Sequence, residues 1–286
     1  MPLKTYYELA KPGIIYGNLL TAVAGFFLAS GRNINWWLLL AMALGLSLVI
    51  GGSCVFNNYL DQDIDGEMER TKDRALLSGA ISPKSALVYA SALLILGCLT
   101  LYFFTNLVTL LVALIGALSY VGVYTPLKRR TIYSSLIGSI PGATPPVIGY
   151  CAVTHTVNLE ALLLFLILVL WQMPHFYGIA LYRMKEYAKA SIPLLPIKKG
   201  AQITKVHSMI YIFLFTLAAA SLTYFGFTRY TYLAIVIILG LIWLYLGIKD
   251  FSTNTNDPRW GRRMFLFSLI TITVFSVTLS LSAILP

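Results

Sequence analysis

The sequence predicts an all-α, polytopic membrane protein with nine transmembrane helices, and three observations support this fold class. The 286 residues are 58% hydrophobic and 11% charged, with a mean hydropathy of +0.78. A soluble globular chain carries about 25% charged residues. Apolar runs long enough to cross a bilayer recur along the chain, and the basic residues concentrate in alternate connections between them.

The apolar runs follow one another without a low-complexity linker, so we expect a single domain over residues 1–286. Only Thr105 and Asn106 separate the third run from the fourth. The first run follows Lys4 and Lys11 and is longer than a usual signal-peptide core, so we interpret it as a retained first helix. The runs centre on residues 14–31, 36–56, 85–104, 106–124, 132–153, 159–180, 207–226, 230–248 and 264–285.

The distribution of Lys and Arg predicts the orientation of the chain. With nine spans, nineteen of the 21 basic residues fall on one side of the membrane, and only Arg32 and Arg229 fall on the other. Basic connections stay in the cytoplasm, so we expect a plasma (inner) membrane protein with the N-terminus in the cytoplasm and the C-terminus outside. This topology explains the net charge of +10, so we expect membrane lipid around the chain and no nucleic acid as a partner.

The fifth run is irregular. It holds Pro141, Pro145 and Pro146, which cannot donate backbone hydrogen bonds within a helix. The carbonyl groups that they leave free must contact protein or line a cavity, because lipid offers no donors. Gly138 and Gly142 permit close helix contact. A packing kink and a cavity wall both fit this pattern.

The acidic residues are concentrated after the second run. Six of the eleven Asp and Glu residues lie within residues 61–73. Asn57, Asp61 and Asp65 are spaced four apart and share one face of a continuing helix. Such a row of oxygen ligands suits Mg²⁺, which usually arrives with a phosphate-bearing substrate. The segment is not an EF-hand loop, because the twelfth position, which must be a bidentate Glu, is Lys72. It is not a CDP-alcohol phosphotransferase motif either, because the second half of that motif is missing. A solvated charged loop is the alternative to a metal site.

Several basic and hydroxyl groups could bind a diphosphate next to this row. Arg70 and Lys72 follow the acidic residues, and Tyr124 and Lys128 lie in the connection of residues 124–130. The alternative for that connection is a topology determinant that binds anionic lipid.

The end of the sixth run holds a second group of candidates. His175 follows Pro174 near a helix break, and Arg183 and Glu186 come two to three turns later. A lone histidine in a span is more often a hydrogen-bonded packing residue, but the charged neighbours favour a function. Asn18, in the first run, is either a contact between helices or a site residue.

Together these segments resemble the intramembrane prenyltransferases of the UbiA superfamily, whose first signature is Asn-x-x-x-Asp-x-x-x-Asp. Trp171-Gln172-Met173-Pro174-His175 stands where quinone-prenylating members carry a second Asp-rich motif, and is similar to the haem-prenylating members. The chain departs mildly from their pattern at Glu186, usually Asp, and at Ala75, usually Pro. The resembling segments are residues 11–15, 54–59 through 68–72, 142–149 and 171–176.

The resemblance implies nine helices around a central cavity. It also implies a reaction in which haem b, farnesyl diphosphate and water give haem O and diphosphate, with Mg²⁺ as the cofactor and haem b as a substrate. Asn57, Asp61 and Asp65 would then be catalytic metal ligands. His175, with Arg183 and Glu186, would serve the haem side, and His207 is either a second haem-facing residue or an interfacial one.

The resemblance further implies that the product passes to a terminal oxidase or a haem A synthase. Two other functions stay open. One is a UbiA-type enzyme for a quinone precursor or another aromatic acceptor. The other is a transporter or haem-handling protein without catalysis, although the acidic residues cluster at one interface rather than at the midplane, where transporters place their sites.

Overall fold

The computed structural model describes residues 2–67, 71, 73–249, 251 and 257–282, and every regular element in that part of the chain is helical. Nine of its helices are long and apolar enough to cross a membrane. They are α2 (Pro12–Ser30), α3 (Trp36–Leu60), α5 (Pro83–Phe104), α6 with its continuation (Leu107–Leu127), α8 (Ser134–Thr154), α9 (Leu159–Tyr182), α12 (Ala201–Tyr224), α13 (Tyr230–Ile248) and α14 (Asp257–Leu281).

Short helices lie on the charged side of the bundle. Helix α1 (Pro2–Leu9) precedes the first span, and α7 (Thr125–Leu127) is the last turn of the fourth. The connections between spans contain α4 (Gln62–Glu67), α10 (Met184–Lys189) and α11 (Leu195–Lys199). The all-α class and the nine predicted spans are therefore confirmed within the described residues.

The break between the third and fourth spans is confirmed at Thr105 and Asn106. The Thr105 hydroxyl donates to the Leu101 carbonyl at the end of α5. The Asn106 side chain accepts from the Thr109 backbone N–H and so caps α6 (Leu107–Leu118). Its amide also donates to the Cys151 carbonyl of α8, 2.8 Å away. Two polar residues thus satisfy the backbone groups that a helix break exposes.

Two spans begin earlier than their apolar runs. Helix α12 starts at Ala201 rather than near residue 207, and α14 starts at Asp257 rather than near residue 264. Their polar first turns face each other: Lys205, fully buried, lies 2.7 Å from an Asp257 carboxylate oxygen and 5.7 Å from the Trp260 ring centroid. The opposite charges of Lys205 and Asp257 compensate each other inside the bundle. Helices α12 and α14 can therefore include charged residues that lie outside the apolar runs of the sequence.

The fourth span contains a π-helix over Ser119–Tyr124. Thr125 donates its backbone N–H to the Tyr120 carbonyl, five residues back, and its hydroxyl donates to the same oxygen at 2.9 Å. Pro126, the next residue, has no N–H for the α-helical pattern. The prediction that Tyr124 belongs to a loop is wrong, because the helical span continues to Leu127.

Helix α8 packs closely against α2 and forms a wall of the interior. A Cβ added to Gly25 of α2 or Gly149 of α8 would overlap a backbone carbonyl of the partner helix. The Pro141 carbonyl, which Pro145 cannot bond, accepts from the Thr144 hydroxyl at 2.9 Å. Pro141, Pro145 and other α8 residues line the central cavity, so the structure supports the cavity-wall interpretation.

Candidate active site

A central cavity of about 520 Å³ lies within the helix bundle. Helices α2, α3, α6, α8, α9 and α14 and the π-helix supply its lining, which is mostly apolar. On α3 the lining runs from Leu46 through Val49 and Ser53 to Cys54, one turn before Asn57. From Leu46 to Asn57 the helix rises about 16 Å. The cavity is therefore a long apolar volume that ends next to the acidic row.

Asn57 and Asp61 form a hydrogen-bonded pair at the end of α3. The Asn57 amide donates to an Asp61 carboxylate oxygen at 2.7 Å and to the Thr125 hydroxyl at 3.0 Å. Both side chains are nearly inaccessible, with 3% and 2% exposure. The Asp61 carboxylate also pairs with Lys128, which joins α3 to the end of the fourth span. The sequence predicted Asn57, Asp61 and Lys128 as site residues, and the structure brings these three together.

Asp65, one turn further on, lies in α4 and is also buried. Its carboxylate pairs with Arg74, whose guanidinium donates to the Asn58 side chain at 3.0 Å as well. Its backbone carbonyl accepts from the Thr71 hydroxyl at 2.8 Å. Thr71 and Arg74, which follow the acidic row in the sequence, thus both contact Asp65, and Arg74 supplies a cation that the sequence did not assign to the site.

Asp63 occupies the opposite side of α4 and is mostly exposed. Arg129 pairs with it, donates to the Leu60 carbonyl at 2.9 Å and lies 3.4 Å from an Asp61 oxygen. Hydrogen bonding to Arg129 lowers the pKa of the Asp63 carboxyl. Arg129 therefore fastens the fourth span to the start of α4.

Lys11 is a site residue that sequence reasoning did not assign. Its Nζ donates to the Asn57 side-chain oxygen at 2.8 Å. Its backbone is left-handed, with φ of 56° and ψ of 65°, which is rare for a residue with a side chain, and Pro12 follows it. Desolvation of its ammonium group lowers the pKa of Lys11 to about 8. In the sequence it resembles an ordinary topology determinant before the first span.

Four cations thus surround three carboxylates at the mouth of the cavity: Lys11, Arg74, Lys128 and Arg129 around Asp61, Asp63 and Asp65. The excess of positive charge suits an anionic ligand. Two further predicted site residues, Arg70 and Lys72, lie outside the described residues.

Tyr124 stands between the charged cluster and the apolar cavity. The π-helix places Tyr120 and Tyr124 side by side, with ring centroids 5.7 Å apart and an angle of 12°, and both line the cavity. Lys128 Nζ lies 5.9 Å from the Tyr124 centroid. The adjacent Gly138 leaves space for the Tyr124 ring, since a Cβ there would lie 2.7 Å from it.

His175 lines the cavity from α9. Its Nδ1 lies 2.7 Å from the Ser268 hydroxyl of α14, and its ring stacks on Trp171 with centroids 4.9 Å apart. Asn18 of α2 lines the same cavity and donates to the Ile14 carbonyl at 2.7 Å. The cavity therefore extends from one of the predicted histidines to Cys54 and Tyr124, next to the predicted acidic row.

The remaining candidates lie away from the cavity lining. Arg183 ends α9 and forms an ion pair with Glu186, with N–O distances of 3.2 and 3.3 Å, and both are partly exposed. His207 of α12 packs against Tyr177, with centroids 6.3 Å apart, and is not among the residues that line the cavity.

The architecture and the sequence both match known proteins. The model of the UbiA prenyltransferase family matches residues 18–269. The chain belongs to the UbiA prenyltransferase family. Among solved structures, a digeranylgeranylglyceryl phosphate synthase has a TM-score of 0.81 at 21% identity, covering 99% of this chain and 98% of its own. A UbiA homologue from Archaeoglobus fulgidus bound to GPP and Mg²⁺ has a TM-score of 0.69 at 16% identity, covering 96% and 99%.

Closer UbiA relatives are known by sequence. A protohaem IX farnesyltransferase from Protochlamydia amoebophila is 48% identical, over 96% of this chain and 96% of its own length. One from Yersinia enterocolitica is also 48% identical, over 100% of this chain and 97% of its own. The similarity is therefore spread over the whole bundle rather than confined to one motif.

The donor set fits the Mg²⁺ that accompanies a prenyl diphosphate in the Archaeoglobus UbiA structure. Two buried carboxylates and an amide oxygen are hard ligands. In this structure each of the three groups contacts a basic side chain, and the described residues contain no group of three acidic, His or Cys side chains placed to hold an ion. A bound metal ion would compete with Lys11, Lys128 and Arg74 for these oxygen atoms.

Proposed function

We propose that this chain transfers a farnesyl group from farnesyl diphosphate to a vinyl group of protohaem IX (haem b), with addition of water, to give haem O and diphosphate. The 48% identity to proteins named protohaem IX farnesyltransferase, over nearly the whole chain, carries this proposal. A cavity that is lined by His175 and reaches Cys54 and Tyr124, next to the charged cluster, supports it.

The charged cluster binds the diphosphate and stabilises it as it leaves. When the C1–O bond of farnesyl diphosphate breaks, both electrons depart with the diphosphate. Lys128, Arg74 and Arg129 are already held at this point by carboxylates, and Tyr124 adjoins them. Cations placed where negative charge develops bind the transition state better than the ground state. Arg70 and Lys72 remain candidates for the same role.

Asn57, Asp61 and Asp65 hold Mg²⁺. When bound, Mg²⁺ would neutralise part of the charge of the diphosphate. The three side chains fix where the metal would lie, because all of them come from the end of α3 and from α4, within about two helical turns.

The farnesyl chain lies in the apolar cavity below the cluster. The lining of α3 between Cys54 and Leu46 offers aliphatic and small side chains to it. A mostly dry cavity matters because bulk water would capture the farnesyl cation before the acceptor does. The cavity therefore both binds the chain and protects the reactive carbon.

The haem vinyl group supplies the electron pair for the new carbon–carbon bond at C1 of the farnesyl group. Water then adds to the resulting cationic carbon and loses a proton, which leaves the hydroxyl group of haem O. His175 faces the cavity and either ligates the haem iron or accepts that proton. Arg183 and Glu186, and more distantly His207, are the candidates for contacts to the haem periphery.

This function places the chain in the plasma (inner) membrane as one prenyltransferase domain of residues 1–286, with its N-terminus and charged cluster on the cytoplasmic side. Its product is a substrate for a haem A synthase or a prosthetic group for a terminal oxidase. Reporter fusions at the N- and C-termini test the orientation, since only the N-terminal fusion should report the cytoplasm.

Product analysis tests the reaction. Membranes containing the protein are incubated with haem b, farnesyl diphosphate and Mg²⁺, and pigments are separated by liquid chromatography with mass detection. We expect haem carrying a hydroxyethylfarnesyl group, lost with EDTA and in Asp61→Ala. The matched control Asp63→Ala removes an exposed carboxylate from the same short segment and should retain product formation.

A panel of acceptors separates the alternatives. Prenylation of a quinone precursor but not of haem b would replace the proposed acceptor while retaining the donor site. Movement of labelled substrate across the membrane without any product would instead favour a transporter.

A further inference from the structure

Ser268 of α14 makes a polar contact that none of the roles above uses. Its side chain is fully buried, it does not line the cavity, and its hydroxyl lies 2.7 Å from His175 Nδ1. Its backbone carbonyl accepts from the Trp171 indole N–H at 2.9 Å. One residue of α14 thus contacts both aromatic side chains that α9 presents at this level.

The hydrogen bonds around Ser268 indicate which nitrogen of the neutral His175 ring carries the hydrogen. The Ser268 hydroxyl donates to the Phe265 carbonyl at 2.5 Å. A hydroxyl has one hydrogen, so its remaining contact must be as an acceptor. His175 Nδ1 therefore carries the proton in the neutral ring, and Nε2 keeps its lone pair.

The same region fixes the orientation of the ring. Trp171 stacks on the imidazole at an angle of 27°, and the Phe265 centroid lies 5.1 Å from it. Helices α9 and α14 come this close because of two glycines: a Cβ on Gly178 would lie 2.9 Å from Phe265 N, and one on Gly261 would lie 2.7 Å from the Gly178 carbonyl. Side chains larger than hydrogen at these positions would separate the helices.

We propose that Ser268 is a positioning residue, which holds His175 in the Nδ1-protonated tautomer so that Nε2 is the lone-pair donor offered to the cavity. The partner of Nε2 is an electron-pair acceptor: the iron of haem, or an O–H group of the water that adds during the reaction. This inference rests on the proposed function for the identity of that partner. The tautomer itself does not depend on it.

Nitrogen-15 NMR of the protein labelled at its three histidines tests the tautomer directly. His175 is assigned by the loss of its signals in His175→Gln. We expect a protonated Nδ1 and an unprotonated Nε2 in the wild type, and an Nε2-protonated or mixed ring in Ser268→Ala. A wild-type His175 protonated at Nε2 overturns the proposal, whether or not the protein makes haem O.

A matched variant separates positioning from general packing. Ser276→Ala removes another buried hydroxyl from the same helix, and Ser276 Oγ has no hydrogen-bond partner among the described residues. Ser268→Ala should lower haem turnover about 10- to 100-fold with little change in the KM for farnesyl diphosphate, as expected for a lost partner of a ligating histidine. Ser268→Thr, which keeps the hydroxyl, should retain most of the haem turnover that Ser268→Ala loses.

Titration with haem b distinguishes the two partners of Nε2. If Nε2 ligates iron, the Soret spectrum of bound haem changes in Ser268→Ala and in His175→Gln. If Nε2 accepts a proton from water, both variants bind haem with the wild-type spectrum and turn over slowly. Equal losses of turnover in Ser276→Ala and Ser268→Ala, with no change of tautomer, would overturn the positioning role.

Discussion

The mouth of the cavity and the part of its wall around His175 are built in opposite ways. At its mouth, three carboxylates pair with Arg74, Lys128 and Arg129, Lys11 donates to the Asn57 side chain, and several of these residues lie on connections between helices. On its wall, His175 is held inside the bundle by one hydroxyl and two aromatic rings on helices α9 and α14. The mouth is suited to exchange partners, whereas the wall is organised before any substrate binds.

The difference has a chemical reason. A diphosphate brings charge that must be compensated, and a set of ion pairs can compensate it by exchange. A neutral imidazole does not benefit from several interchangeable partners. To act as a ligand or a proton acceptor it needs one tautomer and one orientation. Loss of a charged side chain at the mouth should therefore affect mainly the reaction of farnesyl diphosphate. A disordered His175 on the wall should affect mainly the reaction of haem.

The largest effect is expected at the mouth. Asp61→Ala or Asp65→Ala should lower turnover at least about 100- to 1,000-fold, because either change removes a carboxylate that positions charge at the leaving group. Product formation and the folded fraction are both measured, the latter by size-exclusion chromatography. Asp63→Ala should stay within about fivefold of wild type, as an exposed ion pair contributes little. Near-normal activity of either buried variant would disprove the metal-site assignment.

A slightly smaller effect is expected at the wall. His175→Ala should lower haem turnover about 100-fold, within the range for a positioned acid–base or ligating histidine. Binding of farnesyl diphosphate, measured separately with a labelled analogue, should be retained. His207→Ala is the control, since His207 contacts Tyr177 and does not line the cavity. A comparable loss in His207→Ala would mean that the acceptor side extends beyond this cavity.

Separation of α9 from α14 should disturb the wall without touching a catalytic group. Gly178→Ala places a Cβ against the backbone of α14 and should cost about 1–3 kcal/mol of stability, with a parallel loss of haem turnover. Thermal unfolding in detergent gives the stability. Gly122→Ala is a suitable comparison, because a Cβ there meets nothing within 4 Å. If the two variants unfold alike, the glycine contact does not hold the helices together.

The smallest effect is expected outside the cavity. Arg183→Gln should raise the KM for haem b by about two- to tenfold, because Arg183 is partly exposed and already paired with Glu186. The KM for farnesyl diphosphate should not change. Arg229→Gln, on the opposite side of the membrane by the charge distribution, provides the control. An effect on the donor instead of the acceptor would move Arg183 to the mouth.

The membrane fold could be predicted from the sequence because length and hydropathy are local properties. The nine spans were placed by these alone, and even the short break at Thr105 and Asn106 was visible. The starts of α12 and α14 were missed because Lys205 and Asp257 are charged, and only their contact in three dimensions makes them compatible with helix interiors. The π-helix was missed because it changes neither hydropathy nor length.

The residues at the mouth and those around His175 also differed in how far the sequence predicted them. The acidic row was visible because three oxygen-bearing side chains recur at a fixed spacing of four residues. The single continuing helix that this spacing predicted is wrong, since α3 ends at Leu60 and Asp65 lies in the separate helix α4. Lys11 was not assigned, because a lysine before a span is common and its contact with Asn57 joins residues 46 positions apart. Ser268 gave no signal at all, because serine in an apolar helix usually bonds its own backbone, and its contact with His175 spans 93 positions.

The ion pairs at the mouth also concern the end of each catalytic cycle. Diphosphate binds strongly to clustered cations, and a product that stays bound would stop turnover. Here Lys128 and Arg74 each have a neighbouring carboxylate, Asp61 and Asp65, to which they can return when the product departs. These carboxylates therefore compete with the product for the same cations, and in the absence of Mg²⁺ diphosphate should bind more weakly to the wild type than to a variant that lacks one of them.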